Sequence, residues 1–330
     1  MVSRHRTTPT EEQLLLDTVA RLYYVKDLTQ AEVAKQLGLS RSNVQRMLKE
    51  ARSQGMVEIR IHSPLKTVPR IQRELVLRLG LRDCLVLAKS SQEPPMLEAE
   101  EVVNRVADLA AQYLRESLSE GSTVGLGWGR SVYRVAHSRF LSQEQDVSVV
   151  QAMGSIGGSI TEFDGVATTA QVASALDAGA YYLHSPMLVA DSAVRSGLLR
   201  DPHISKTLEM AGKSDIVVSS VGTPTLDHGQ YLAGYLGETD LEHIRDQGAV
   251  GDICGAYFAT DGSRVDLEMN ERSIAIGYDD LLEVESRIGV GSGPTKPVAN
   301  IGAARSGLIN VLVTDEETAG GILEYLDDEV

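Results

Sequence analysis

Two sets of side chains in this chain have types and spacings that could do chemistry. The first is a run of donors and acceptors, Arg41, Ser42, Asn43, Gln45 and Arg46, bunched at the start of an amphipathic stretch. Asn and Gln can pair with adenine edges, Arg with guanine, and Ser with a base or a phosphate. The second set lies in glycine-rich segments. Val124-Gly125-Leu126-Gly127-Trp128-Gly129-Arg130-Ser131 reads as a strand, a glycine loop and a helix start. Bare glycine amides at a helix N-terminus make an anion pocket, and Arg130 or Ser131 can add donors. The third glycine position of a dinucleotide fingerprint is Arg130, so the loop is not one. Met153-Gly154-Ser155-Ile156-Gly157-Gly158-Ser159 is a second such strand end, and Val221-Gly222-Thr223-Pro224 a third. The fourth is Gly291-Ser292-Gly293-Pro294-Thr295-Lys296, which is not a Walker A loop because Lys does not follow the last Gly. Lys296 is expected in the first turn of the next helix, where the dipole disfavours a cation unless an anion is bound. Each loop alone fits a plain turn, and Lys296 alone fits a solvated side chain. Several such loops on one sheet edge favour a phosphorylated or polyhydroxylated small molecule over accident.

Acid–base or metal chemistry finds less support. Asp164, Asp191, Asp215 and Asp252 are candidate bases, but none forms a recognisable acid–base pair along the chain. Seven His show no HxxxH or HExxH spacing, and Cys84 and Cys254 lie far apart. Neither a metal nor a cofactor is expected. An enzyme acting on the same small molecule remains the alternative to a binding protein.

The elements that must position these groups start at the N-terminus. Glu12 to Tyr24 predicts an amphipathic helix with Leu15, Val19 and Leu22 on one face. Thr29-Gln30-Ala31-Glu32 is a capping box. A short helix with Val33, Ala34 and Leu37 inward follows, then a Gly38-Leu39 turn. Ser40 caps a third helix reaching about Gln54, with Val44, Met47, Leu48 and Ala51 inward. That order is helix-turn-helix. Thr29, Gln30, Arg41, Ser42, Asn43, Gln45 and Arg46 would face DNA. Val57-Glu58-Ile59-Arg60-Ile61-His62 alternates like a short wing strand, bringing Arg60 and His62 near the phosphates. A small protein-binding helical bundle would show a similar polar face.

Charge divides at the same place. The 330 residues carry a net charge of −15, which by itself argues against nucleic acid. Residues 1–70 hold 12 Lys and Arg against 7 Asp and Glu, a net +5. The remaining residues therefore carry −20. A basic head on an acidic body is the pattern of a nucleic-acid module joined to something else.

The body alternates strand and helix. Val68 to Leu79 reads as a connecting helix, Arg82 to Ala88 as a strand and Met96 to Leu118 as a long helix. Strands follow at 122–127, 147–152, 180–183, 216–221, 287–291 and 310–314. Helices are expected at 130–140, 167–176, 193–212, 279–285, 295–306 and 316–326. Ile216-Val217-Val218 and Val311-Leu312-Val313 are apolar on both faces, as in a buried parallel sheet. The expected fold is α/β: a small winged helix-turn-helix over 1–62, a linker helix over 63–80, and a large doubly wound α/β domain over 81–330. No apolar run approaches the roughly 18 residues that span a bilayer, so no membrane role is expected. The first residues lack a signal-peptide apolar region, so export is not expected.

The segment LTQAEVAKQLGLSRSNVQRMLKEARSQGMVEIRI resembles the N-terminal DNA reader of SorC-type transcriptional regulators. GLGWGRSV, SDIVVSSVGTP, GAVGDICGAYFATDG and GLINVLVTDEETAGGIL follow in the order seen in the sugar-binding domain of that family. The resemblance spans roughly residues 10–328. It implies a sugar-phosphate isomerase/deaminase-like fold in the body and a cytoplasmic bacterial regulator, usually a tetramer built as a dimer of dimers. It also implies operator DNA as one partner and a sugar phosphate or polyol effector as the other. Carried over residue by residue, it assigns the effector to Gly127, Gly129, Arg130, Ser131 and Lys296, with Asp252 for sugar hydroxyls. Gly154 joins them as the second glycine-rich strand end. Asp252 equally fits a structural cap. Two departures stand out. Val149 to Gly154 holds no lysine, so no Schiff base is expected there, and Pro297 follows Lys296 directly.

Overall fold

The computed structural model describes residues 11–57, 65–89, 99–142, 146–155 and 163–329. It separates into two compact units, Met1–Pro64 and Leu65–Val330.

In the smaller unit, α1 (Glu11–Ala20) runs into a π-helical turn (Arg21–Val25), followed by α2 (Gln30–Leu37) and α3 (Arg41–Ser53). The capping box forms. The Thr29 amide donates to Glu32 Oε2 at 2.8 Å, and the Glu32 amide donates to Thr29 Oγ1 at 3.3 Å. That bonding holds the Glu32 carboxyl below its ordinary range. Gly38 ends α2 with φ +66°, a conformation that a side chain strains, and this lets α3 turn across α2. Ser40 caps α3 through the Asn43 amide. Leu16, Val19, Val33, Val44, Met47 and Leu48 form the core. The face expected for α1 holds at Val19 and Leu22 but not at Leu15, which is exposed while its neighbour Leu16 is buried. The wing strand expected at Val57 to His62, with Arg60, falls on residues 58–62, outside those described.

The larger unit opens with α4 (Pro69–Leu79) and β1 (Asp83–Leu87). Then come α5 (Ala99–Ser117), β2 (Thr123–Leu126), α6 (Arg130–Ala136), β3 (Ser148–Gln151), α7 (Gly165–Leu176) and β4 (Gly179–Tyr181). Next are α8 (Ser192–Leu198), α9 (Pro202–Gly212), β5 (Ile216–Ser220), α10 (Gly229–Leu232) and α11 (Glu238–Asp246). An antiparallel pair, β6 (Gly251–Ile253) and β7 (Ala256–Phe258), precedes α12 (Tyr278–Glu283) and β8 (Ser286–Val290). The chain closes with α13 (Pro297–Arg305), β9 (Val311–Asp315) and α14 (Glu316–Asp328).

Seven strands form one parallel sheet in the order β1-β9-β8-β5-β2-β3-β4. Apolar cores lie on both faces. One takes Ile71, Leu75, Ile301 and Ile322 from α4, α13 and α14. The other takes Val106, Leu114, Val132 and Val172 from α5, α6 and α7. This is a doubly wound sheet, as expected from apolar strands alternating with helices.

Three expectations change. The helix read as a connector, α4, buries Ile71, Leu75 and Leu79 in the larger unit, each worth roughly 2 kcal/mol of apolar burial. The single helix expected over 193–212 is two, because Asp201 caps a new helix with Pro202 in its first turn. The stretch between β5 and residue 279, where no helix or strand is expected, holds α10, α11 and the β6–β7 hairpin.

Candidate functional site

Reading the sheet order against chain order locates the site. From β2 the chain steps outward to β3 and β4; from β5 it steps the other way, to β8 and β9. The crevice between the carboxyl ends of β2 and β5 is therefore the topological switch point, where such sheets bind ligands. A cavity of about 690 Å³ opens there. Its walls are the segments that follow β2, β5, β8 and β9, including Gly129, Arg130, Ser131, Thr223, Lys296 and Thr318.

Asp252 and His228 stand at its centre. Both are buried, with 7% and 5% of their surface exposed. The His228 side chain caps α10 by accepting the Gln230 amide on Nδ1, at 3.3 Å. A ring nitrogen that accepts carries no proton, so the proton lies on Nε2 and is donated to Asp252 Oδ1 at 2.8 Å. The other carboxylate oxygen, Oδ2, accepts the Gly255 amide at 3.0 Å. Burial disfavours the Asp252 charge, but His228, Gly255 and Lys296 outweigh it and hold the carboxyl below its ordinary range. The result is a buried carboxylate that stays ionised and offers acceptors only, suited to sugar hydroxyls. The turn that carries Gly255 has positive φ at Cys254 (52°) and Gly255 (79°), the two central positions of a type I′ hairpin. Gly222 lies against the same carboxylate; a Cβ there would sit 1.9 Å from Asp252 Oδ1. Burial pushes the Cys254 thiol up to about 12, so it stays protonated.

Lys296 lies opposite. It is the residue before α13, with Pro297 at the first helical position, where proline is at home. Its Nζ donates to the Val221 carbonyl at 2.7 Å and to Thr223 Oγ1 at 3.2 Å. Burial pulls its ammonium down to about 8, against Asp252, which favours the charge. Neither a solvated Lys nor a first-turn Lys describes it. At the mouth, Arg130 Nη2 lies 3.3 Å from the Asp227 carbonyl oxygen.

Five of the seven expected effector residues, Gly129, Arg130, Ser131, Asp252 and Lys296, therefore converge on one cavity. The other two do not line it. The Gly127 amide donates to the Val218 carbonyl, and the Gly154 carbonyl accepts the Trp128 indole N–H at 2.8 Å. Both glycines lie behind the cavity lining. Asp164 and Asp191 are helix caps, and Asp215 accepts the Thr123 amide. Those three carboxylates have structural duties. Sequence reasoning missed His228, which belongs to no motif or metal-ligand spacing. It also missed Asp227 and Thr223, although Thr223 lies in a segment already singled out.

On α3, Arg41, Ser42, Asn43, Gln45 and Arg46 are all exposed while Val44, Met47 and Leu48 are buried. The polar side chains thus share the outer face, as the spacing predicts. Arg46 reaches Glu50 at 3.4 Å in a loose, exposed i,i+4 pair. The Thr29 hydroxyl is taken up by Glu32, and Gln30 is half-buried.

Comparison with known proteins decides the lineage. The Sugar-bind family, described as "Putative sugar-binding domain", matches residues 63–324. The full-length sorbitol operon regulator SorC from Klebsiella pneumoniae superposes with a TM-score of 0.71 and 26% identity, covering 95% of this chain and 99% of that one. The chain belongs to the SorC family of transcriptional regulators. The deoxyribonucleoside regulator of Bacillus subtilis (strain 168) is 30% identical over 96% of this chain and 99% of its own. The transcriptional regulator LsrR of Enterobacter sp. (strain 638) is 30% identical over 95% and 94%. The sigma-70 region 4 family matches residues 21–54, the span of the helix-turn-helix. Among the described residues no helix is long and apolar enough to cross a membrane.

Proposed function

We propose that this SorC-family regulator grips operator DNA with α3 and responds to a phosphorylated sugar or polyol held noncovalently in the switch-point cavity. The observation that carries the proposal is the pairing, within one cavity, of two cations with an ionised carboxylate. Lys296 and Arg130 suit a phosphate, and Asp252, kept acceptor-only by His228, suits hydroxyls. Relatives named for sorbitol and for deoxyribonucleosides support a carbohydrate-like effector. In this reading the protein works in the cytoplasm as a dimer of dimers. Two basic heads grip the half-sites of a near-palindromic operator. The effector changes occupancy only through different affinity for two arrangements of the assembly. Arg46→Ala weakens specific DNA binding and spares effector binding, whereas Lys296→Ala does the reverse. Gel shifts and calorimetry on both variants test this, and loss of both functions in either variant would count against it.

The His228–Asp252 pair is the one observation favouring an isomerase or deaminase. Its hydrogen bonds argue otherwise. Both ring nitrogens of His228 are engaged, and Asp252 is a weak base because its carboxyl is held low. Purified protein should leave ribose 5-phosphate and glucosamine 6-phosphate unchanged over hours, and measurable turnover of either would restore the enzyme reading.

A further inference from the structure

Among the described residues five carboxylates lie on the cavity wall, and three are committed. Glu100 accepts from Arg134 at 2.8 Å. Asp252 is held by His228 and Gly255. Asp315 caps α14 and accepts from Ser292 and Thr318. Glu317 is more exposed and lies 3.8 Å from Lys89, a cation that does not line the cavity. The fifth, Asp227, faces Arg130. Its carbonyl oxygen is 3.3 Å and its Oδ1 3.8 Å from Arg130 Nη2.

We propose that Asp227 is a built-in competitor for the anionic group of the effector: it occupies Arg130 in the ligand-free protein and is displaced when a phosphate arrives. This rests on the anion-binding reading of the cavity. Three features support it. First, the pair is loose and wet, with side-chain exposures of 42% and 67%, so its net strength is small and an incoming dianion can replace it. Second, Asp227 is not on a free loop. It precedes His228, whose ring is fixed to Asp252 and caps α10, so its carboxylate is anchored one residue from the centre of the cavity. Third, its charge is felt inside. Arg130 disfavours the Lys296 ammonium, and Asp227 favours it. The carboxylate thus offsets the repulsion between the two cations. A phosphate at Arg130 supplies the same negative charge and makes Asp227 redundant there.

The test is a double-mutant cycle read by calorimetry with inorganic phosphate at low salt, using the full chain, Asp227→Asn, Arg130→Gln and the double variant. Asn is nearly isosteric with Asp and both sites are exposed, so thermal melting should be unchanged in every variant. Asp227→Asn should bind phosphate about fivefold tighter, the limit set by an exposed ion pair. In the Arg130→Gln background the same change should have less than about twofold effect, because the contact it relieves is gone. Equal or weaker phosphate binding by Asp227→Asn, while wild type binds, overturns the competitor role alone. An equal gain with and without Arg130 overturns it too, because Asp227 would then act only through its general field. If wild type and every variant ignore phosphate, the anion-binding reading itself falls, and this proposal with it.

Discussion

The Lys296 ammonium makes anion binding a function of pH, and the size of the effect can be worked out. Its ordinary value lies near 10.5, and burial brings it to about 8. The charged form is lost as pH rises through that value. At pH 7 about nine-tenths of the ligand-free protein carries the charge, and at pH 9 about one-tenth, so affinity for an anion that needs it should fall roughly tenfold across the window. Sulfate is the right probe, because it stays a dianion throughout, whereas phosphate changes charge near neutrality. Calorimetric titrations at pH 7, 8 and 9, at matched ionic strength, give the profile. Lys296→Ala should bind sulfate weakly with no such slope. A flat wild-type profile, or the same slope in Lys296→Ala, would refute the assignment of Lys296 as the anion-binding cation.

Two further variants probe how the centre is held. His228→Ala removes a cap from α10 and leaves the Asp252 carboxylate buried without its partner. It should cost about 3 kcal/mol, with a lowered melting temperature as the readout. Gly222→Ala drives a methyl group into Asp252 Oδ1, and should cost about 2 kcal/mol in urea unfolding as well as weakening effector binding.

Local chemistry made the head legible. The Thr29–Glu32 capping box, the Gly38 turn and the Ser40 cap are set by residues within four positions of one another, and each forms as expected. The register of α1 was less secure, because Leu14, Leu15 and Leu16 are adjacent and only packing against α2 and α3 selects Leu16. In the body, strands apolar on both faces announced the sheet. The break between α8 and α9 had a signal in Asp201-Pro202, a capping residue followed by proline. The β6–β7 hairpin was harder. Its turn uses Cys254 at positive φ, where Asn or Asp would have advertised it. The cavity was legible only where glycine loops leave strands. Gly127 and Gly154 carry the same local pattern as Gly129, and only the tertiary packing of Trp128 and β5 tells wall from lining. His228 is brought to Asp252 by long-range packing, 24 residues along the chain, which no local pattern encodes.

The basic head and acidic body are joined in one function only if the cavity governs the DNA. The measurement that tests this most directly is DNA occupancy against effector concentration. Operator fragments selected from a random pool by the full-length protein would be titrated with sugar phosphates and with the same sugars lacking phosphate. Wild type should change its occupancy with one phosphorylated compound, ignore the unphosphorylated counterpart, and lose the response in Lys296→Ala while still binding DNA. A response to the unphosphorylated compound that persists in Lys296→Ala would contradict the account.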